Sequence, residues 1–240
     1  QKVLARAAFG SRREIENWII QKRIRVNGKI AQIGDRVSDA DQIFVDGKRV
    51  SSRQGLDTGK HRYLLYNKNE NEICSKKDPR GRATVFDKLP PLKHGRWISI
   101  GRLDFNTTGL LLFTTDGDTA NLLTHPSSMI EREYAVRVMG NVEPSMIKSM
   151  HEGVLIDNEI YRFTDIQYFG GDGLNRWYHV VVMTGRNREV RKLWESQGVK
   201  VSRLKRVRFG PIFMPSKLKR GQHQELSQKE VEKLLKLVKS

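Results

Sequence analysis

Three groups of residues in this 240-residue chain have types and spacing that could do chemistry. The first is the segment 101–117, GRLDFNTTGLLLFTTDG. Asp104 follows a strand-like piece and precedes Asn106, Thr107, Thr108 and Gly109, a turn-rich run that leads into the apolar stretch Leu110 to Phe113. An aspartate on such a loop can be held rigidly with its carboxylate facing a cleft. The same residue also fits an Asx turn, in which its oxygens only bond neighbouring amides. The second group is basic: residues 183–210 hold nine Lys or Arg against two Glu, a net of 9 − 2 = +7, with Arg186, Arg188, Arg191 and Lys192 at the start of an expected helix. Free amides and the helix macrodipole favour a phosphate or carboxylate there, although a solvated basic face shows the same pattern. The third group is acidic. Asp104, Asp116 and Asp118 are the densest carboxylates, and a metal-dependent nuclease would need them to converge on a divalent ion; Asp116 and Asp118 read instead as a turn and a helix start.

The whole chain shares the basic bias. Lys and Arg number 44 against 27 Asp and Glu, a net charge of +17, and the isoelectric point is about 10.1. Such an excess repels itself in a folded protein and is best offset by a polyanion. Residues 1–50 hold eleven basic against six acidic residues, a second net-positive region of 11 − 6 = +5. The sequence shows no run of 18 or more apolar residues, no signal peptide and no long basic amphipathic helix, so nucleic acid is the expected partner and a membrane is not. Cys74 is the single cysteine, and the six histidines never fall at metal-binding spacing, so neither a disulfide nor a metal site is expected. The expected compartment is the cytoplasm.

Local signals indicate an α+β chain in two parts. Ser11 and Glu14 form a capping box for a helix that carries Ile15, Trp18 and Ile19 on one face and Arg12 and Arg13 elsewhere. Asn27-Gly28 marks a hairpin, and residues 42–45 supply another strand, so residues 1–50 read as helix, helix, hairpin, strand. Residues 51–60 are polar and without apolar periodicity, a linker. In residues 61–240, strands are expected at 63–66, 97–100, 110–114, 134–139 and 178–183, and helices at 118–123, 144–150 and 188–197. A last helix opens at the capping box of Ser227 and Glu230 and turns Val231, Leu234, Leu235 and Val238 inward. Strands joined by hairpin-like links favour a mixed, mostly antiparallel sheet with a central cleft over a doubly wound parallel one.

Three motifs in this order carry a family resemblance. GRLDFNTTGLLLFTTDG resembles the signature of the pseudouridine synthases that act on ribosomal RNA, and EREYAVRV (residues 131–138) and TGRNREVRKLW (residues 184–194) resemble the two motifs that follow it there. Residues 2–50 are similar to the RNA-binding module first described in ribosomal protein S four, with Gly10-Ser11-Arg12-Arg13 and Val26-Asn27-Gly28 as its marks. Phe105 departs from the pattern, standing where a smaller aliphatic residue is common. The resemblance implies isomerisation of uridine to pseudouridine in ribosomal RNA, most closely that of the large subunit, by a monomer that needs no cofactor. It also implies roles for individual residues: Asp104 as the carboxylate that acts on the sugar as nucleophile or base, Tyr134 stacked on the target base, and Arg191 as the cation paired with Asp104. Arg102 would fill the space left by the flipped base or grip the adjoining phosphate, and Arg12, Arg13, Arg186 and Arg188 would bind RNA. Tyr134 on its own could equally be a packed strand residue, and Arg191 a surface arginine. A non-catalytic RNA-binding assembly factor is the competing reading.

Overall fold

The computed structural model describes residues 1–38, 40–50, 61–76, 78–93 and 95–238, so the expected linker at 51–60 lies outside the described residues. Two compact units are present, residues 1–62 with 90–98, and residues 63–89 with 99–240.

In the first unit the short helix α1 (Lys2–Arg6) precedes α2 (Arg12–Ile20). Both halves of the Ser11–Glu14 capping box are formed: the serine hydroxyl accepts from the Glu14 amide, and the Glu14 carboxylate accepts from the Ser11 amide at 2.7 Å. Strands β1 (Ile24–Val26), β2 (Lys29–Ile30), β3 (Ile43–Val45) and β4 (Lys48–Val50) make a sheet of order β2-β1-β3-β4. Asn27 and Gly28 both take positive φ, the backbone that a two-residue hairpin with right-handed twist demands. Asp46 and Gly47 repeat that geometry and add β4, a hairpin that the sequence reading left out. Leu4, Ile15, Ile19, Ile24, Ile43 and Val50 close a small core, with Trp18 packed against it.

The second unit is built on one mixed sheet. Its strands in chain order are β5 (Tyr63–Lys68), β6 (Ile98–Ile100), β7 (Thr108–Thr114), β8 (Arg132–Met139), β9 (Val154–Ile156), β10 (Glu159–Tyr161), β11 (Asp165–Asp172), β12 (Asn175–Val182), β13 (Lys200–Phe209), β14 (Ile212–Phe213) and β15 (His223–Glu225). The main path runs β11-β12-β8-β13-β7-β5-β15, while β9 and β10 pair by themselves. Only β7 and β13 are parallel along that path, and the other pairs are antiparallel, as the mixed-sheet expectation holds. Every residue of β5 and β7 is buried, because both faces are covered at the centre; β8 alternates buried and half-buried positions, the signature of a strand with one face on the core and one open. Helices α3 (Gly117–Thr124), α4 (Pro144–Glu152), α5 (Glu189–Ser196) and α6 (Gln228–Lys236) complete the unit. Each expected element of this unit is present within three residues of its bounds, whereas β9, β10, β11, β13, β14 and β15 have no counterpart among the expected strands. The second capping box forms as read, with Leu234 fully buried and Val231, Leu235 and Val238 half-buried.

β7 and β13 come unusually close. A Cβ on Gly109 would stand 2.3 Å from the Arg206 carbonyl oxygen, and its φ of +101° is one that only glycine adopts readily, so this position must lack a side chain.

Candidate active site

A cleft of about 780 Å³ opens in the second unit, lined by Cys74, Arg102, Asp104, Arg132, Tyr134, Arg186, Arg188, Leu204 and Arg206 among others. Asp104 sits on the loop that leads into β7. Each carbonyl of that loop from Leu103 to Thr107 has a donor. The Cys74 thiol donates to Leu103 at 3.3 Å, and the Thr107 amide closes a turn onto the Asp104 carbonyl. The Asn71 amide meets the Phe105 carbonyl at 2.9 Å, and the Arg191 Nη2 meets that of Asn106 at 3.1 Å. Lys68, fully buried at the end of β5, donates to the carbonyls of Asn69 (2.9 Å), Asp104 (3.1 Å), Phe105 (3.4 Å) and Thr107 (2.9 Å). Burial pushes the Lys68 pKa down, against an upward pull from Cys74, Glu72 and Asp104.

With the backbone so restrained, the Asp104 side chain is left over. Among the described residues nothing donates to its carboxylate and no cation lies within 4.0 Å of it, so the Asx-turn reading does not hold. A half-buried carboxylate in a cleft, held by its backbone and free at its oxygens, is set up to meet something brought in from outside.

Arg191 differs from expectation. Its guanidinium is buried and donates from Nη1 to Val201 and from Nη2 to Asn106, both backbone carbonyls, so the direct ion pair with Asp104 is not formed. The fork is occupied by backbone acceptors that have no other charged donor. Arg191 nonetheless senses the Asp104 charge, which raises its pKa while burial, the larger effect, lowers it. Neither is it a surface residue.

Tyr134 is buried on β8, yet its ring forms part of the cleft wall rather than of a closed core. Arg102 is exposed at the rim, and no described residue pairs with it. The basic cluster at the start of α5 is largely engaged already. Arg186 donates to the Ile160 carbonyl at 2.7 Å and lies 3.5 Å from Glu159, Arg188 lies 3.4 Å from Glu195, and Lys192 lies 2.6 Å from Asp157. The anion expected at this helix start comes from the chain itself, because the Glu189 carboxylate accepts from the Arg186 amide and the Thr184 hydroxyl. Asp116 is likewise spent as the cap of α3, its oxygens taking the amides of Asp118 and Thr119 and the Thr119 hydroxyl. Among the described residues, Asp104, Asp116 and Asp118 do not come together as a group that could hold a metal ion. Arg12 and Arg13 are exposed on α2 in the first unit. Phe105 is 40% exposed, with the Arg82 guanidinium 5.6 Å above its ring, so the larger side chain lies outside the core.

Three buried cations were not singled out from the sequence: Lys68, Arg132 and Arg206. Arg132 donates to the carbonyls of Ile130 and Met183. Arg206 donates from Nε to Leu110, and its terminal nitrogens have no acceptor among the described residues. Both guanidinium groups lie over the Phe209 ring, 5.3 and 5.5 Å from its centre, and both line the cleft without a carboxylate partner. Period-two alternation in EREYAVRV does put Arg132 on the face of Tyr134, a signal that could have found it.

Residues 62–196 match the family model described as RNA pseudouridylate synthase. The chain belongs to that family. Its members are isomerases that convert uridine to pseudouridine, and the three motifs identified above lie within or beside the matched span. Residues 1–43 match the S4 domain model. Among curated relatives, ribosomal large subunit pseudouridine synthase B of Pseudomonas aeruginosa is 55% identical over 97% of this chain and 60% of its own length. The proteins of the same name from Vibrio cholerae and Escherichia coli K12 are 52% and 51% identical over 99% of this chain, covering 74% and 82% of theirs. The chain therefore spans somewhat less than two thirds of the Pseudomonas relative's length. A solved structure titled as a pseudouridylate synthase superposes with a TM-score of 0.67 at 27% identity, covering 97% of both chains.

Proposed function

We propose that this protein isomerises a uridine to pseudouridine in large-subunit ribosomal RNA, with Asp104 as the essential carboxylate. The observation that carries the reading is the unpartnered Asp104 carboxylate in the cleft, on a loop whose carbonyls are all engaged. In the reaction the bond from C1′ to N1 breaks, the uracil turns, and C5 bonds to C1′. A proton leaves C5 and one is gained at N1, so the product is an isomer and no oxidant or reductant is consumed. Asp104 acts on the sugar as nucleophile or as base, and either role needs an ionised carboxylate whose oxygens are not already used.

The Tyr134 ring offers a face on which the uracil stacks while it is detached. Arg191 works chiefly through the loop, with its charge acting on Asp104 through space. Taking the uridine out of its stack costs a few kcal/mol, and the exposed Arg102 at the rim fills the vacated space or grips the adjoining phosphate. Arg186 and Arg188 on the cleft wall, and Arg12 and Arg13 on the S4 unit, contact RNA backbone. The protein acts as a monomer in the cytoplasm, where its substrate is.

The test is to incubate unmodified ribosomal RNA with the wild type and with Asp104→Asn and to map pseudouridine at nucleotide resolution. Wild type modifies a defined uridine and Asp104→Asn modifies none, while both bind the RNA with similar affinity. Turnover by pure Asp104→Asn removes the catalytic assignment. Bound but unmodified RNA with the wild type favours the assembly-factor reading instead.

A further inference from the structure

The sheet of the second unit has a face away from the cleft. Alternate residues of a strand point to opposite sides, and Tyr134, Leu204 and Arg206 line the cleft, so Ala135, Arg137, Arg203 and Lys205 point the other way. The pairing registers arrange that face in rows across four strands. One row reads Lys205, Ala135, His179 and Gln167, and the next Arg203, Arg137, Trp177 and Gly170. Phe169 is the extra residue at the irregularity between Tyr168 and Gly170. It is 72% exposed, and its ring lies 4.7 Å from that of His179.

Two features of this face are unfavourable in the protein alone. Arg137 and Arg203 are directly opposite on paired strands, a like-charge arrangement that destabilises a sheet, and no described carboxylate pairs with either of them or with Lys205. The one acid in the middle of the face, Glu133, is bound by His179 and Arg208 at 2.7 Å each. The Phe169 ring also stands in the open beside these charges, where the protein alone gains nothing from it, and Trp177 next to Arg137 is half-buried. A polyanion with exposed ring faces removes both costs at once, and an unpaired nucleic-acid strand is such a partner.

We propose that this outward face is a second RNA-binding surface, on which a single-stranded segment distant from the target uridine stacks bases on Trp177 and Phe169 and sets phosphates against Arg137, Arg203 and Lys205. Duplex RNA keeps its base faces stacked inside the helix and could use only the charges. The platform from β13 to β11 spans three strand spacings, about 14 Å. Because cleft and platform are on opposite sides of one sheet, the strand must pass around its edge, and the surface selects RNAs with an unpaired segment near the modified site. The proposal rests on the reading of the protein as an RNA-modifying enzyme.

The decisive comparison uses the full chain and unmodified ribosomal RNA fragments with and without a single-stranded flank. Arg137→Gln/Arg203→Gln is set beside a charge-matched control on α6, Lys229→Gln/Lys233→Gln, with affinity measured across salt concentrations. For the flanked RNA the sheet variant should lower the slope of log affinity against log salt by about 1.4, two contacts at roughly 0.7 each, and the loss should fall on apparent KM rather than kcat. Trp177→Ala should weaken the flanked RNA and leave the blunt one unchanged. A sheet variant that matches the α6 control in slope and affinity overturns the proposal. So does a wild-type dimer in sedimentation that the sheet variant breaks, since the face would then belong to a second copy. If the wild type forms no pseudouridine, the functional reading falls while the binding comparison still decides the surface.

Discussion

Replacing Lys68 by Met removes the ammonium that ties four carbonyls together and leaves a side chain of similar length in the same buried slot. The Asp104 and Phe105 carbonyls keep the amides of Thr107 and Asn71 as donors, whereas those of Asn69 and Thr107 lose their charged partner. Hydrogen bonds to a charged group contribute about 1.5–3 kcal/mol each, so two give roughly 3–6 kcal/mol. Relief of the cost of burying an ammonium offsets part of this, leaving about 3 kcal/mol. At roughly 2–4 °C per kcal/mol for a domain of this size, the second unit should melt about 6–12 °C lower. Activity should suffer more than stability, because a displacement of about 1 Å at the reacting group can cost ~100-fold in rate. Single-turnover pseudouridine formation, measured well below the lowered melting point, separates the two effects. A Lys68→Met protein with wild-type melting and wild-type rate would refute the argument; early melting with a wild-type rate would confine Lys68 to stability.

Arg191→Met should lose most activity, because the Asn106 carbonyl on the Asp104 loop loses its charged donor, with Arg191→Lys intermediate; a wild-type single-turnover rate in Arg191→Met would remove Arg191 from the support of the loop. Gly109→Ala should fail to give soluble protein or unfold at much lower denaturant, since its Cβ meets the Arg206 backbone, and wild-type stability in that variant would contradict the close β7–β13 packing. Asp116→Ala should cost about 1 kcal/mol through the lost α3 cap and leave the specific activity of folded protein unchanged, checked by denaturant titration and assay. Burial tends to raise the pKa of Glu133, but hydrogen bonds from His179 and Arg208 outweigh it and hold it below the ordinary 4.5. Its contribution is therefore present above pH 4.5 and lost as pH falls through the lower folded value, so the stability gap between wild type and Glu133→Gln should close on acidification; a gap that widens would reverse the assignment.

Much of this architecture is legible because its causes are local. Both capping boxes, the Asn27-Gly28 hairpin and the apolar strands are fixed by residues within a few positions of one another, and they form as read. Asp46-Gly47 carries the same local signal as Asn27-Gly28 and was open to the same reading. What sequence does not disclose is which polar group a distant side chain will meet. Lys68 serves carbonyls up to 39 positions away, Arg191 reaches back 85 to Asn106, and Arg206 reaches back 96 to Leu110. Each is an ordinary basic residue by type, and only the closed sheet gives it a role. Arg191 illustrates the same limit: the expected direct pair with Asp104 is not formed, and the two backbone carbonyls that take the guanidinium have no mark in the sequence.

The parallel pairing of β7 with β13 sets a timetable for synthesis. β7 ends at Thr114, but the strand that completes its other side begins at Lys200, and β15, which closes the edge beside β5, begins at His223. A chain emerging from the ribosome therefore holds the Asp104 loop for more than eighty residues before the sheet around it can close. Contacts of such separation make assembly slow. The N-terminal unit, residues 1–62 with 90–98, is complete in the chain before β13 begins, so it can fold while the sheet of the second unit still lacks the strand beside β7.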